Sequence, residues 1–132
     1  MIIFRVNFLW STILITLSYV PVAMAIYLFI EWIFASFSFW TVEGYGLDSL
    51  LYNLLKILSG SIIPLHFFNQ PLIYLLPTSF LVFHNTNIYL GKYSQIQIFQ
   101  TFVGGILWCF VLFILARIVF KIGLKRNEAV GL

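Results

Sequence analysis

The stretch YSQIQIFQTFVGGILWCFVLFILARIVFKIGLKR, residues 93–126, decides the class of this chain. From Tyr93 to Ala116 it carries no charge, and then Arg117, Lys121 and Lys125 follow at intervals of four, with Arg126 beside the last. About 20 apolar residues make a helix that crosses the ~30 Å hydrocarbon core of a bilayer, so a span is expected over about residues 94–120. The cations that close it share one helical face, where long basic side chains snorkel toward water and anionic headgroups. Lys and Arg accumulate on the cytoplasmic side of membrane proteins. The tail, residues 121–132, is therefore expected in the cytoplasm.

Composition carries the same reading along the whole chain. Of 132 residues 62% are hydrophobic and only 8% charged, against about 25% charged in a soluble domain. Such a chain cannot cover a water-facing surface, and the lipid bilayer is its expected surroundings. The net charge of +3 sits mainly in the tail, leaving no basic face for nucleic acid. Cys109 is the single cysteine, which excludes an intramolecular disulfide and any zinc site built on several cysteines. His66 and His84, without nearby acids or thiols, make a poor metal pair. No phosphate loop, nucleophile elbow or His/Glu metal motif is present, so neither a cofactor nor an enzymatic activity is expected. Met1 to Arg5, an apolar run and Ala23-Met24-Ala25 imitate a cleavable signal. Hydrophobicity resumes at once from Ile26, and the segment is read as a retained helix.

Working back from the last helix, Ile57–Gly91 is uncharged but broken by Pro64, Pro71 and Pro77. Its pieces are too short to span, so residues 64–91 are expected to form short re-entrant or interfacial helices. Before them, Leu47-Asp48-Ser49 opens a helix expected to run to Ile63 and stop at Pro64, a span over 47–63. Asp48 is expected in its first turn, where the macrodipole favours an anion. Ser49, Asn53, Lys56 and Gly60 form one stripe, expected to face other helices or water rather than lipid. Residues 1–40 as one straight helix would be ~60 Å long. Two readings remain: one helix over about 7–40 kinked at Pro21, or two short spans turning at Ser18–Pro21. The kinked helix is preferred, because a lipid-buried turn without polar residues leaves backbone groups unpaired. The expected fold is all-α, a single polytopic transmembrane helix bundle of three spans with a broken, re-entrant hairpin before the last.

Each polar residue has two readings. Glu31 is a substrate- or proton-coupling carboxylate, or an interfacial residue beside Trp32. Lys56, which shares a face with Tyr52 and Asp48, lines a cavity for an anionic lipid or drug, or it pairs internally or snorkels. Asp48 belongs to the same pathway, or merely stabilises a helix start. Glu43 touches a partner subunit, or is a solvated loop carboxylate. Gly60, Gly104 and Gly105 permit close helix contact, with a gating hinge as the minority reading. Cys109 is read as an inert buried thiol.

The order of features resembles a known arrangement. Phe39-Trp40-Thr41 ends a helix; Leu58-Ser59-Gly60-Ser61-Ile62-Ile63-Pro64-Leu65 ends the next. Then come Pro71, Leu76-Pro77, Gly91 before the final helix, and Lys125-Arg126-Asn127-Glu128-Ala129-Val130-Gly131. Over Phe39–Gly131 this resembles the C-terminal half of a bacterial type 2 ABC exporter permease, in the six-span branch. The resemblance implies a bacterial plasma (inner) membrane protein whose broken segment lies at the outer face and whose last helix returns to the cytoplasm. It implies no catalytic residues, a separate ATP-binding-cassette ATPase subunit as the source of energy, and a second permease half or a homodimer partner. A complete permease of that branch is about twice as long, so a split or truncated gene product is expected. The competing function is a small non-transporting membrane interaction or assembly protein.

Overall fold

A computed structural model describes residues 10–40, 44–62, 65 and 71–129. Among these every regular element is helical: α1 (Trp10–Ser36), α2 (Gly44–Leu58), α3 (Phe83–Tyr89) and α4 (Gln95–Ala129), with 3-10 turns at Phe37–Phe39, Pro71–Leu75 and Pro77–Phe80. Two stretches, Trp10–Phe39 and Gln95–Lys125, are long and apolar enough to cross a membrane. Helix α1 is continuous through Pro21, with no turn at Ser18–Pro21. The ring removes the donor that would reach the Leu17 carbonyl one turn earlier.

Helix α4 begins on a capping box. The Ser94 amide donates to Gln97 Oε1 at 2.9 Å and the Gln97 amide to Ser94 Oγ at 3.4 Å. It then runs past the expected end of the span, so the tail continues the helix as far as Ala129. Ahead of it, α3 closes on a Schellman motif: Lys92 N–H reaches Asn87 O, Gly91 N–H reaches Ile88 O, and Gly91 takes φ +64°.

Two expectations about α2 need correction. It starts at Gly44, so Asp48 lies beyond the first turn, and the macrodipole argument for it lapses. It also stops at Leu58, ahead of Ile63, because Gly60 turns the chain with φ +81°. Its 15 residues make a rod of about 22 Å, short of the ~30 Å core. The expected unbroken span over 47–63 is therefore absent from the described residues.

Packing sets the direction of every element. The Tyr19 ring meets Phe102 edge-on with centroids 5.1 Å apart, Phe29 meets Phe113 at 5.6 Å, and Trp32 and Phe39 meet Phe120 at 6.0 and 5.8 Å. Residue numbers rise together along this seam, so α1 and α4 run parallel. Chain neighbours that run parallel need a return path between them. Helix α2 supplies its first part: Tyr52 lies near enough to interact electrostatically with Tyr27, while Leu58 at its end receives a bond from Thr78. Thr78 adjoins Phe80, whose carbonyl accepts the Tyr19 hydroxyl at 3.2 Å. Helix α2 thus climbs antiparallel to α1 from the level of Tyr27 to that of Tyr19. The two 3-10 turns and α3 then carry the chain to the start of α4.

The core is the seam itself. Tyr19, Ala23, Ile26, Ile30 and Leu112 are buried in it, joined by Leu51 and Leu55 of α2 and by Phe80 and Ile88 of the short segments. Glycines set how close these elements come. A Cβ on Gly105 would stand 2.8 Å from Val22 Cγ1, and one on Gly104 would stand 2.9 Å from the Phe80 ring. Further along, a Cβ on Gly123 would meet Phe39 Cδ2 at 2.5 Å. Each glycine therefore admits a neighbour that any side chain would push away.

Candidate functional site

The end of α2 falls beside the middle of α1, and a helix end at that depth raises an accounting problem. The last four carbonyls of a helix have no intrahelical donor, and lipid supplies none. Here all four are satisfied locally. Leu55 O accepts the Ser59 amide at 2.9 Å, and Ile57 O accepts the Gly60 amide at 3.3 Å. Lys56 O accepts the hydroxyls of Ser61 at 2.8 Å and Ser59 at 3.3 Å, and Leu58 O accepts Thr78 Oγ1 at 3.2 Å. The Ser59-Gly60-Ser61 triplet is thus a polar cap, and Thr78 ties it to the short segments.

This terminus borders a cleft of about 520 Å³ between α1, α2 and the residues around Leu81–Asn85. Its α1 wall is Val20, Ala23, Met24, Tyr27 and Leu28, the central part of the helix. Lys56 reaches into it half-buried, with Nζ 4.1 Å from the centroid of the Tyr52 ring. A cation over a tyrosine face gains about 0.5–2 kcal/mol, most where water is excluded. Asn85 also borders the cleft, but its Oδ1 is buried away from it and has no hydrogen-bond partner among the described residues. A buried acceptor without a donor costs about 1–3 kcal/mol.

A second cleft, about 530 Å³, lies between the short segments and α4. His84 forms its polar end. Its Nε2 lies 3.0 Å from the Tyr74 carbonyl and its Nδ1 lies 2.8 Å from the Tyr93 hydroxyl. A carbonyl only accepts, so Nε2 carries the proton and Nδ1 accepts from Tyr93 in the neutral ring. Burial holds the imidazole below its usual range, and burial likewise raises the Tyr93 phenol. Trp108 of α4 closes this side by donating Nε1–H to the Leu75 carbonyl at 2.9 Å.

The residues singled out in the sequence fall as follows. Glu31 is half-buried on α1, one turn beyond Tyr27. The α1–α4 register sets it nearly level with Arg117, near the end of the uncharged part of α4 rather than its middle. Of the expected polar stripe, Ser49 and Asn53 are exposed and Lys56 and Gly60 half-buried; the buried face of α2 is Leu51, Leu55 and Ser59. Pro21 is exposed, and Pro71 and Pro77 each open a 3-10 turn. Arg117, Lys121 and Lys125 are exposed, with the Arg117 guanidinium 5.6 Å from the Phe113 ring. Glu43, Pro64 and the side chains of Asp48 and Arg126 lie outside the described residues. Among the described residues no group of acids, histidines and cysteines is placed to hold a metal ion. Tyr19, Phe80, Asn85 and the Phe39–Gly123 pair carry much of this geometry, yet nothing in their local sequence marks them. The Ser94-to-Gln97 spacing was a legible capping signal.

Neither a curated protein nor a solved structure matches the chain. A family model described as "ABC-2 family transporter protein" matches residues 1–131, taking in the first helix, which the motifs from Phe39 onward left out. With its all-helical architecture and two helices fit to cross a bilayer, the chain belongs to the ABC-2 family of transporter proteins and is a membrane protein.

Proposed function

We propose that the chain is a membrane-spanning permease component of an ATP-driven exporter, forming part of the translocation pathway beside a separate ATP-binding-cassette ATPase subunit. The observation that carries this reading is the interrupted return path between α1 and α4. A helix that ends at mid-depth with every terminal carbonyl capped, beside a cleft holding one cation, is backbone suited to line a pathway. Irregular backbone at membrane depth is tolerated only where it is buried in protein or borders a cavity. Three crossings result, two by α1 and α4 and one by α2 joined to the short, re-entrant segments.

The basic stripe on α4 directs its C-terminus to the cytoplasm of a bacterial plasma membrane. With α1 and α4 parallel, this reading puts the start of α1 outward, the end of α1 inward and residues 71–93 toward the outer face. A second permease half or a second copy completes the enclosure. The test is affinity purification of the tagged chain from its native membrane in mild detergent, followed by reconstitution. An ATP-binding-cassette ATPase should co-purify, and the reconstituted complex should turn over ATP. Isolation without any such ATPase would leave a non-transporting assembly role and overturn the proposal.

A further inference from the structure

The 3-10 turns over 71–80 are held from outside by donors on three helices. Trp108 of α4 reaches the Leu75 carbonyl at 2.9 Å, Tyr19 of α1 the Phe80 carbonyl at 3.2 Å, and His84 of α3 the Tyr74 carbonyl at 3.0 Å. Indole and phenol keep their protons near neutral pH, whereas imidazole exchanges one at about pH 6.5. His84 also makes a second joint. Its Nδ1 accepts the Tyr93 hydroxyl at 2.8 Å, just ahead of α4, and its ring centroid lies 4.5 Å from that of Phe80 and 5.4 Å from that of Phe83. The neutral ring is thus saturated, one nitrogen donating to the turn and the other accepting at the entrance of α4. The imidazolium fits these partners badly. Both nitrogens then donate, so Nδ1–H meets the Tyr93 proton head-on and the phenol must turn its proton elsewhere. Among the described residues no carboxylate faces the ring to offset the charge. The 3-10 turns bring Tyr74, α4 brings Gln97, Gln100 and Thr101 behind Tyr93, and α3 itself adds Asn87 near Tyr93. Helix α1 brings Tyr19, while its Glu31 lies at the level of Arg117. Lys92, in the link to α4, is exposed, and Lys56 lines the other cleft.

We propose that His84 is a proton-operated latch: its neutral ring ties the 3-10 turns to the entrance of α4, and protonation opens that joint while α1 and α4 stay packed. Burial holds the folded imidazole below its usual range, so the closed joint excludes a proton that the open one accepts. Opening is therefore favoured as pH falls below about 6.5, by up to about tenfold per pH unit, until the closed form titrates as well. The seam takes no part in this, since Tyr19–Phe102, Phe29–Phe113 and Phe39–Phe120 are contacts between uncharged rings. The latch borrows one thing from the permease reading, the side of the membrane that it faces. With residues 71–93 at the outer face it senses the medium rather than the cytoplasm, and acid outside loosens the re-entrant segment from α4.

Hydrogen–deuterium exchange of the full chain in mild detergent follows the joint, with each rate corrected for the intrinsic pH dependence of exchange. From about pH 7.5 down to about pH 5, amides of α3 and its link to α4, residues 83–95, should lose protection. The loss should reach up to about tenfold per pH unit below about 6.5, while amides of residues 100–115 in the middle of α4 keep theirs. His84→Gln offers a donor to Tyr74 O and an acceptor to Tyr93 but takes up no proton, so its protection should not change with pH. His66 is the other histidine of the chain, and His66→Asn should leave the acid response intact. A response that survives in His84→Gln, vanishes in His66→Asn or spreads equally along α4 overturns the latch. So does a flat profile in the unsubstituted chain. If His84→Gln does not fold, nitrogen NMR of the unsubstituted chain takes its place. His84 should then be the Nε2–H tautomer at neutral pH and charge in step with the loss of protection. An Nδ1–H tautomer, or charging with protection unchanged, sinks the latch as well. Detergent sets both faces at one pH and no ATPase is needed, so the latch can fail with the permease reading intact, and failure of an ATPase to co-purify leaves the latch standing.

Discussion

Replacing Gly105 by alanine tests the seam between α1 and α4 near its middle. The added Cβ would stand 2.8 Å from Val22 Cγ1 and 3.2 Å from the Tyr19 hydroxyl, whereas carbon atoms rest about 3.5–4.0 Å apart. Val22 is β-branched and stiff at χ1, so it cannot swing clear. Overpacking of this kind costs about 1–3 kcal/mol, and the change from glycine to alanine returns about 1 kcal/mol of helix propensity. Gly105→Ala alone should therefore destabilise by about 0–2 kcal/mol. In a Val22→Ala background the obstructing methyl is gone, and the same substitution should stabilise by up to ~1 kcal/mol. The coupling across the double-mutant cycle is then about 1–3 kcal/mol. Unfolding by dodecyl sulfate in mixed micelles, followed by far-ultraviolet circular dichroism, measures all four proteins. A coupling under about 0.3 kcal/mol, the range of independent sites, would mean that Gly105 does not face Val22, and the register would be refuted.

Four further outcomes follow from the same geometry. Thr78→Val should cost about 1–3 kcal/mol in the same unfolding assay, because Leu58 O loses its donor, while Thr78→Ser should cost far less. Trp108→Phe should cost about 1 kcal/mol through loss of the bond to Leu75 O. Folded His84 sits below its usual value of about 6.5, so below that pH the unfolded chain binds more protons and stability declines as pH falls. His84→Gln should flatten that decline in a pH series of unfolding midpoints. Finally, in a Cys109→Ser background the pair Phe39→Cys and Gly123→Cys should form a disulfide on mild oxidation. A Cβ at 123 lies 3.2 Å from Phe39 Cβ, close to the ~3.5–4.5 Å of real disulfides, and loss of maleimide labelling reports the bond.

Local chemistry explains which features the sequence disclosed. The charge-free run from Tyr93 and the cations after it fix α4, since length and periodicity are properties of one segment. Prolines likewise marked where unbroken helix fails, and Pro71 and Pro77 do open short 3-10 turns. Helix α2 was misread for a local reason. Pro64 looked like the stop, but Ser59-Gly60-Ser61 caps the helix sooner through φ +81° at Gly60 and two hydroxyls on one carbonyl. Asp48 was misplaced because the glycines at 44 and 46 read as a break, yet both lie inside the helix. What joins distant segments was not legible. Phe39 against Gly123, Phe80 against Gly104 and Thr78 on Leu58 O pair residues whose own neighbourhoods give no hint of each other. Lys56 was visible as a lone cation in an apolar helix, but the burial of Asn85 Oδ1 without a partner among the described residues was not.

The central claim is a parallel α1–α4 pair joined by one composite crossing, and sidedness tests it most directly. In a Cys109→Ser background, single cysteines at Trp40, Ser94 and Lys125 are challenged with a membrane-impermeant maleimide on intact cells, then again after permeabilisation. The account predicts labelling of Ser94→Cys from outside, and of Trp40→Cys and Lys125→Cys only once the membrane is opened. Labelling of Trp40→Cys and Ser94→Cys from the same side would show that nothing crosses between α1 and α4, and would contradict it.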